Sequence, residues 1–430
     1  MLVPPRLPPP RYWPIGLALL LPFVPRPAAS EPWQDAKQAL SDRGVTPAIV
    51  YDGLISSTAA GGQRRGATYL GNLHLQLTLD GASIAGVSGL SAFLDGLWIH
   101  GGAPSAYAGD AQGISNIAGP HRFKFYEAWM QYNFGQSRLS ALAGLYDLNS
   151  EFYRLESAGF FLNSSFGIGA EFGQSGVEGP SIFPFTAIGM RFAFKPAPNI
   201  VLRAAVLDGV PVDRPNGATG AFEAHDGALL VGEAAFLDRP ASAAMPPNPR
   251  FRVGRFSGLP PYDNKLAIGA WHYTTRLGDL SDVAANGLPL QHHGSSGVYA
   301  IAEHLLFQGQ TNSAERLSLF LEAGMGDAAV DRFGSYIGSG IVANGFVPGR
   351  AKDQAGLGIA VARNGTHYLA AQQKQNAPVT KNEIALEASY LAQLTDWFAL
   401  QPDMQYVVHP NTNPALRNAV VLQLEAELSF

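Results

Sequence analysis

The chain has 430 residues, of which 47% are hydrophobic and 15% charged, with a formal net charge of −5. Soluble domains carry nearer ~25% charged residues, so the surface is short of charge, and the basic footprint of a nucleic-acid binder is absent, which sets that class aside. No cysteine is present, which excludes disulfide and thiolate chemistry. Mean hydropathy is only +0.03, and beyond the N-terminus no apolar run approaches the ~20 residues of a spanning helix, which excludes a helical membrane protein.

In chain order, Arg6 and Arg11 precede the apolar stretch IGLALLLPFV, and the small residues Ala28, Ala29 and Ser30 follow it. This layout predicts a secretory signal peptide over residues 1–30; the apolar run is too short for the alternative, a membrane anchor. Cleavage there removes three arginines and no acid, making the remainder more negative. EPWQDAKQALSDRG (Glu31–Gly44) sets Trp33, Ala36, Ala39 and Leu40 on one face and predicts a short helix at 31–44, with Gly44 as its stop.

Alternation then takes over. NLHLQLTLD (Asn72–Asp80), TAIGMRFAFK (Thr186–Lys195), RLSLFLEAGM (Arg316–Met325), EIALEASYLA (Glu383–Ala392) and the last twelve residues, Ala419–Phe430, all place apolar side chains at every second position. A soluble sandwich would turn that face inward. Here aromatic residues gather at strand ends (Tyr132 with Phe134, Phe192 with Phe194, Trp397 with Phe398, and Phe430), as in the girdles of a bilayer-spanning barrel. Long polar segments, Asp213–Gly227 and Asp238–Arg250, alternate with tight connections, the expected asymmetry of long outer loops and short inner turns. The apolar face is therefore expected to meet lipid. Hydrocarbon satisfies no backbone group, so the strands must close on themselves. At ~9–11 residues per strand, residues 45–430 are expected to form one all-β transmembrane antiparallel barrel of roughly 14–18 strands around an aqueous interior, with the short helix on the periplasmic side.

Several stretches together resemble the carbohydrate-selective porins of the OprB type: LSDRGVTPAIVYDG (Leu40–Gly53), RRGATYLGNLHLQLTLDGASIAG (Arg64–Gly86), AGDAQGISNI (Ala108–Ile117), KFYEAWMQYNF (Lys124–Phe134), AGLYDLNSEF (Ala143–Phe152), FLNSSFG (Phe161–Gly167), VLDGVP (Val206–Pro211) and DWFALQPDMQYVVHPN (Asp396–Asn411). The resemblance runs through nearly the whole chain after the signal region. It implies a 16-stranded bacterial outer-membrane barrel that passes sugars and other small hydrophilic solutes by diffusion. Where the family often has an arginine just ahead of the YExW-like segment, this chain has Lys124, with Arg122 two residues earlier.

A sugar offers hydroxyl edges and weakly apolar faces, so a channel selecting for it needs paired donors and acceptors, with binding weak enough to release. In FYEAWMQYNF, alternation puts Glu127, Trp129, Gln131 and Asn133 on one face, a candidate sugar track; the competing reading ties Glu127 to an arginine that supports the wall. Asp147, Asn149 and Glu151 share a side if extended, as a hydroxyl-accepting patch, or else they perform turn chemistry. Asp110 and Asn116 lie in a Gly-bearing segment that either folds inward to narrow the pore or forms a surface loop. Arg191, Arg203 and Arg316 are candidate inward cations, because lipid-facing arginine at mid-bilayer costs ~2–4 kcal/mol; Arg203 has apolar neighbours on both sides and no clear parity. Glu233, Glu322, Glu387, Glu425 and Glu427 are expected to oppose them from the lumen side.

The rival function classes are a general small-solute porin without sugar preference and an outer-membrane barrel enzyme. No G-x-S-x-G elbow, P-loop or H-E-x-x-H helix occurs, so no catalytic residues are assigned. His292–His293 is too adjacent to chelate alone, and neither metal nor cofactor is expected. The expected partners are carbohydrate solutes, outer-membrane lipid and the barrel-assembly machinery, which would read the terminal strand ending at Phe430.

Overall fold

The structure, a computed structural model, describes residues 30–135, 138–211, 226–239, 262–310 and 312–430. The signal-peptide expectation and the whole of 213–225 and 240–250 lie outside the described residues.

Helix α1 (Ser30–Ser41) leads through a turn at Gly44, whose φ of +83° suits glycine, into β1 (Val45–Gly62). Fifteen more antiparallel strands follow and bring the set to sixteen: β2 (Gly66–Asp80), then after the short helix α2 (Gly81–Ala85) β3 (Leu90–Gly101), β4 (Arg122–Phe134), β5 (Leu139–Tyr146), β6 (Ala187–Ala197), β7 (Ile200–Asp208), β8 (Ala228–Leu237), β9 (Asn264–Val283), β10 (Pro289–Gln308), β11 (Arg316–Met325), β12 (Phe333–Asn344), β13 (Gln354–Asn364), β14 (Asn382–Thr395), β15 (Phe398–Val408) and β16 (Arg417–Ser429). Each pairs with its sequence neighbours, and β16 closes onto β1 with Val50 opposite Ser429 and Gly53 opposite Ala426. Closure leaves no unpaired edge, as the hydrocarbon demands. An even strand number brings the start of β1 and the end of β16 to one end of the barrel, here called the terminal end; the other is the loop end.

Orientation follows from exposure. Leu422 and Leu424 are 47% and 41% exposed, while Gln423 and Glu425 between them are 5% and 2% exposed. The same alternation holds on β6, with Met190, Phe192 and Phe194 outside and Arg191 inside. The apolar face points outward, with aromatic rings at its margins. At the terminal end Tyr132 packs on Phe134 with ring centroids 4.5 Å apart, and Trp397 stacks on Phe430 at 5.9 Å.

One connection departs from the expected asymmetry. Asp238–Arg250 was expected among the long outer loops, yet it begins the β8–β9 connection, which strand parity places at the terminal end. Conversely, the loop-end turn between β9 and β10 is short (residues 284–288).

The core sits inside the barrel. Residues 102–121, between β3 and β4, carry helix α3 (Ser105–Ala108); residues 147–186, between β5 and β6, carry three 3-10 turns and helix α4 (Ala170–Gly173). Both segments turn into the lumen. Phe152, Tyr153, Phe160, Phe161, Phe166 and Phe172 of the second segment pack against wall residues Trp271, Tyr299, Phe320 and Tyr336. Small inward residues make the room: on β13, Gly356 and Gly358 lie so close to Phe160, Phe161 and Phe166 that a Cβ at either would meet a ring at 2.6–2.7 Å. On β9 and β10 the fit is reciprocal, with Trp271 over Gly297 and Tyr299 over Gly269. Phe172 stacks on Trp271 at 4.2 Å with planes 12° apart.

Candidate functional site

Inward-facing glutamates of the wall hold the two segments by their backbones. Glu383 on β14 accepts hydrogen bonds from the N–H groups of Ala111 (2.9 Å), Gln112 (2.9 Å) and Asn411. Glu387, two inward positions further along β14, accepts from Leu162 (2.6 Å) and Asn163 (3.0 Å). Glu233 on β8 accepts from Tyr153 N–H (2.9 Å), and Glu303 on β10 from those of Glu156 (3.0 Å) and Ser157 (3.2 Å). Glu127 on β4 accepts from Asp147 N–H (3.2 Å) and from the Trp129 indole (3.1 Å). Wall cations and amides take the carbonyls: Lys124 donates to Pro184 (2.9 Å), Lys265 to Arg154 (2.6 Å), Gln401 to Phe160 (2.9 Å) and Gln405 to Ile114 (2.9 Å). An irregular segment buried at membrane depth has many backbone groups to satisfy, and these side chains supply the partners.

The segments also bind each other. Ser164 N–H donates to Gly113 O (2.7 Å), Asn116 N–H to Leu162 O (2.8 Å), and the Asn116 side-chain amide to Phe161 O (3.2 Å). Asp110 accepts from the N–H groups of Gly113 (2.7 Å) and Ile114 (2.9 Å) within its own turn.

Between the second segment and the β6–β8 wall runs a row of alternating charge. Arg191 donates to Glu151 (2.6 Å), Gln131 (2.6 Å) and Ser140 (2.9 Å). Arg203 donates to Glu233 (3.1 Å), with its Nε 4.0 Å from Glu151. Burial alone would raise the Glu151 carboxyl, but the charges of Arg191 and Arg203 override it and hold it below the usual range. Arg203, Glu151 and the nearby Arg154 keep 13%, 12% and 16% of their side-chain surface open, and Glu156 keeps 35%. This stretch of narrowed interior offers both donors and acceptors to a solute.

The carbohydrate-selective porin family model, OprB, matches residues 64–430. The chain belongs to the OprB family. Porin B of Pseudomonas aeruginosa is 24% identical over 183 residues, 38% of this chain and 40% of that protein, so the match spans less than half of the curated relative's length. The high-pH structure of Pseudomonas putida OprB superposes with a TM-score of 0.77 at 19% identity, covering 93% of this chain and 97% of that one. The low-pH structure of the same protein gives 0.55 at 16% identity, over 93% and 96% of the two chains. The structural likenesses establish the fold, a β-barrel of OprB architecture; family membership together with the closed 16-stranded barrel places the chain in the bacterial outer membrane.

Within this OprB-family barrel, the sequence-predicted residues separate by what they touch. On β4, simple alternation would put Arg122 and Lys124 on the face opposite Glu127. A bulge at Tyr126, where Asp95 pairs with Glu127 and Gly96 with Phe125, shifts the parity and turns Arg122, Lys124, Glu127, Trp129 and Gln131 all inward. Glu127 is fully buried and Trp129 is 6% exposed against Phe93, so both hold structure and neither presents a free edge to the lumen. Glu127 joins wall and insert, accepting from an indole on its own strand and from a backbone N–H of the second segment. Asp147 and Asn149 are likewise buried; Asp147 accepts from Asn149 N–H (2.9 Å), the turn chemistry of a 3-10 start. Asn149 continues by donating to Gly167 O (2.7 Å).

Arg203 lies inward with Val201 and Ala205, which resolves its parity. Arg316 faces inward near the terminal end, paired with Asp263 at 2.6 Å. Glu322 also faces inward; it is fully buried, and its two oxygens have no hydrogen-bond partner among the described residues. The wall anchors Glu303, Lys265 and Gln405 were not singled out in sequence. Their signal was an inward polar residue with a buried apolar neighbour two positions away on its own face, as in Ile301–Glu303, Lys265–Ala267 and Gln405–Val407, where something other than water has to pack.

Proposed function

We propose that this barrel admits carbohydrates of monosaccharide size by passive diffusion through its narrowed interior, without energy coupling and without an enzymatic site. The observation that carries the reading is the Arg191–Glu151–Arg203–Glu233 row. Within it Glu151 and Arg203 keep an open edge, an acceptor beside a donor, and the paired charges carry little net field, which suits a neutral polar solute better than an ion. Each group is already partnered, so a passing hydroxyl exchanges hydrogen bonds instead of capturing a bare charge, and release stays fast. The family's description as carbohydrate-selective supports the same assignment.

In this reading the exposed apolar belt meets acyl chains, residues 1–30 are a cleaved secretion signal, and β16 with Phe430 is what the assembly machinery recognises. Phe430 occupies the closing seam, with its backbone bonded to Ile49 in both directions (2.9 and 3.1 Å).

The test is liposome swelling with monosaccharides against non-sugar solutes of equal size, combined with sugar block of single-channel current. Faster entry of the sugars and saturable block are expected. Entry rates that track size alone would replace this reading with that of a general small-solute porin.

A further inference from the structure

At the loop end, far from the charged row, three metal-ligating side chains from two elements converge, and a histidine of a third element bonds the central aspartate. Helix α5 (Thr366–Lys374), in the connection between β13 and β14, reaches across to β9 and places His367 Nδ1 2.8 Å from Asp279 Oδ1. From β10, His292 Nε2 lies 2.8 Å from the other oxygen, Oδ2. Ligand atoms of Asp279, Asp282 and His367 all fall within 4.8 Å of one another. The Asp279 side chain is 1% exposed, while the two imidazoles are 31% and 32% exposed, so the group is anchored at its base and reachable from water.

We propose that Asp279, Asp282 and His367 form the core of a Zn2+ site that His292 completes by turning in from Asp279 Oδ2, tying α5 to the β9–β10 hairpin over the mouth of the barrel. Two imidazoles with two carboxylates are a borderline-soft set that favours zinc over calcium or magnesium, which prefer all-oxygen shells. Zinc bonds of ~2.0–2.2 Å in a tetrahedron place ligand atoms about 3.3 Å apart. The 2.8 Å contacts open by about half an ångström, and the wider separations within the group, up to 4.8 Å, close by up to about 1.5 Å on binding. In the metal-free arrangement each imidazole nitrogen facing Asp279 holds a proton. Binding moves that proton to the far ring nitrogen, or to solvent from an imidazolium, and frees the lone pair. The N–H groups of Ser281 and Asp282, both 2.8 Å from Asp279 Oδ1, fix the carboxylate's orientation from behind. Lys374 is the opposing charge: its Nζ sits 3.8 Å from Asp282 and donates to Ser281 O at 2.6 Å. It lowers the affinity of the site without blocking it.

The experiment uses the full-length barrel in detergent, free of any histidine tag. Co2+ is titrated in, and the visible absorption of tetrahedral cobalt is followed; Zn2+, Ca2+ and Mg2+ are then tested for displacement. One saturating equivalent displaced by Zn2+ alone is expected, together with protection of the α5 segment from protease. The double variant His292→Ala/His367→Ala should lose at least a hundredfold in affinity, and Lys374→Ala should tighten binding. Heat-modifiable gel mobility verifies that each variant barrel is closed. Absence of saturable binding in the parent overturns the proposal, as does unchanged affinity in the double variant.

Discussion

Replacing Glu387 by alanine removes the acceptor of two backbone N–H groups, those of Leu162 and Asn163, in the middle of the second inward segment. A typical hydrogen bond contributes ~0.5–1.5 kcal/mol, and a buried donor left bare costs ~1–3 kcal/mol. With two donors stranded, docking of this stretch should weaken by about 3–5 kcal/mol. The lower end is the better expectation, because Asp403 lies against the same carboxylate and its crowding is relieved. Even 3 kcal/mol shifts a docked–undocked balance by roughly a hundredfold, at ~1.4 kcal/mol per factor of ten. The Phe160–Phe161–Phe166 cluster still holds the segment, so the opening should be intermittent. Single-channel recordings of Glu387→Ala should show larger and noisier conductance. Glu387→Gln keeps one acceptor oxygen and should fall between the two. The outward face is untouched, so heat-modifiable mobility should match the parent. A folded alanine variant with parental conductance and noise would refute the claim that this carboxylate holds the constriction.

Three further outcomes are expected. Arg203→Ala removes a positive charge beside Glu151 and Glu233, so the reversal potential in a KCl gradient should move toward cation selectivity; no movement would mean that the row does not face the ion path. Deleting Phe430 should reduce the yield of assembled barrel while leaving the conductance of the assembled fraction unchanged, since its ring lies outside against Trp397; normal yield contradicts an assembly role. Glu171 on α4 is pushed up to about 7 by burial, against an ordinary value of 4.5. A carboxyl raised in the folded state favours docking while protonated, and that advantage is lost as pH rises from about 4.5 through 7, by about 3 kcal/mol in all. Hydrogen exchange at the amides of residues 165–175 should therefore quicken between pH 5.5 and 8 by more than the intrinsic rate, and Glu171→Gln should flatten that excess.

Much of the barrel was legible because lipid imposes a two-residue period on every strand that crosses it. The alternation of Ala419–Phe430 correctly turned Leu422 and Leu424 outward, and the girdle pairs Tyr132–Phe134 and Trp397–Phe430 lie where interfacial aromatics belong. The lumen was less legible, because an inward polar residue reads the same whether it meets water or a folded-in segment. Glu127, Glu233 and Glu387 were all placed on the correct face, yet each holds backbone N–H groups of residues 147–186 from up to 225 positions away. A pairing so distant leaves no periodic trace. The bulge at Tyr126 escaped for a related reason: an extra residue in one strand shows only against its partner, here Asp95–Gly96 on β3. The most readable trace of the filled interior was the run QAGLGIAVA on β13, whose inward positions are Gly356, Gly358, Ala360 and Ala362. Water needs no such clearance, whereas aromatic rings do.

The grip on residues 147–186 reaches main-chain atoms almost throughout: amide hydrogens by glutamate, carbonyls by lysine and glutamine. Such a mount is indifferent to which side chains the insert carries, provided the aromatic underside still seats in its glycine hollows. The solute-facing letters of that insert can therefore be rewritten one at a time without loosening its frame. For an engineer this separates the filter from its fastening: new preferences belong at positions such as Arg154 and Glu156, and the wall glutamates are best left alone.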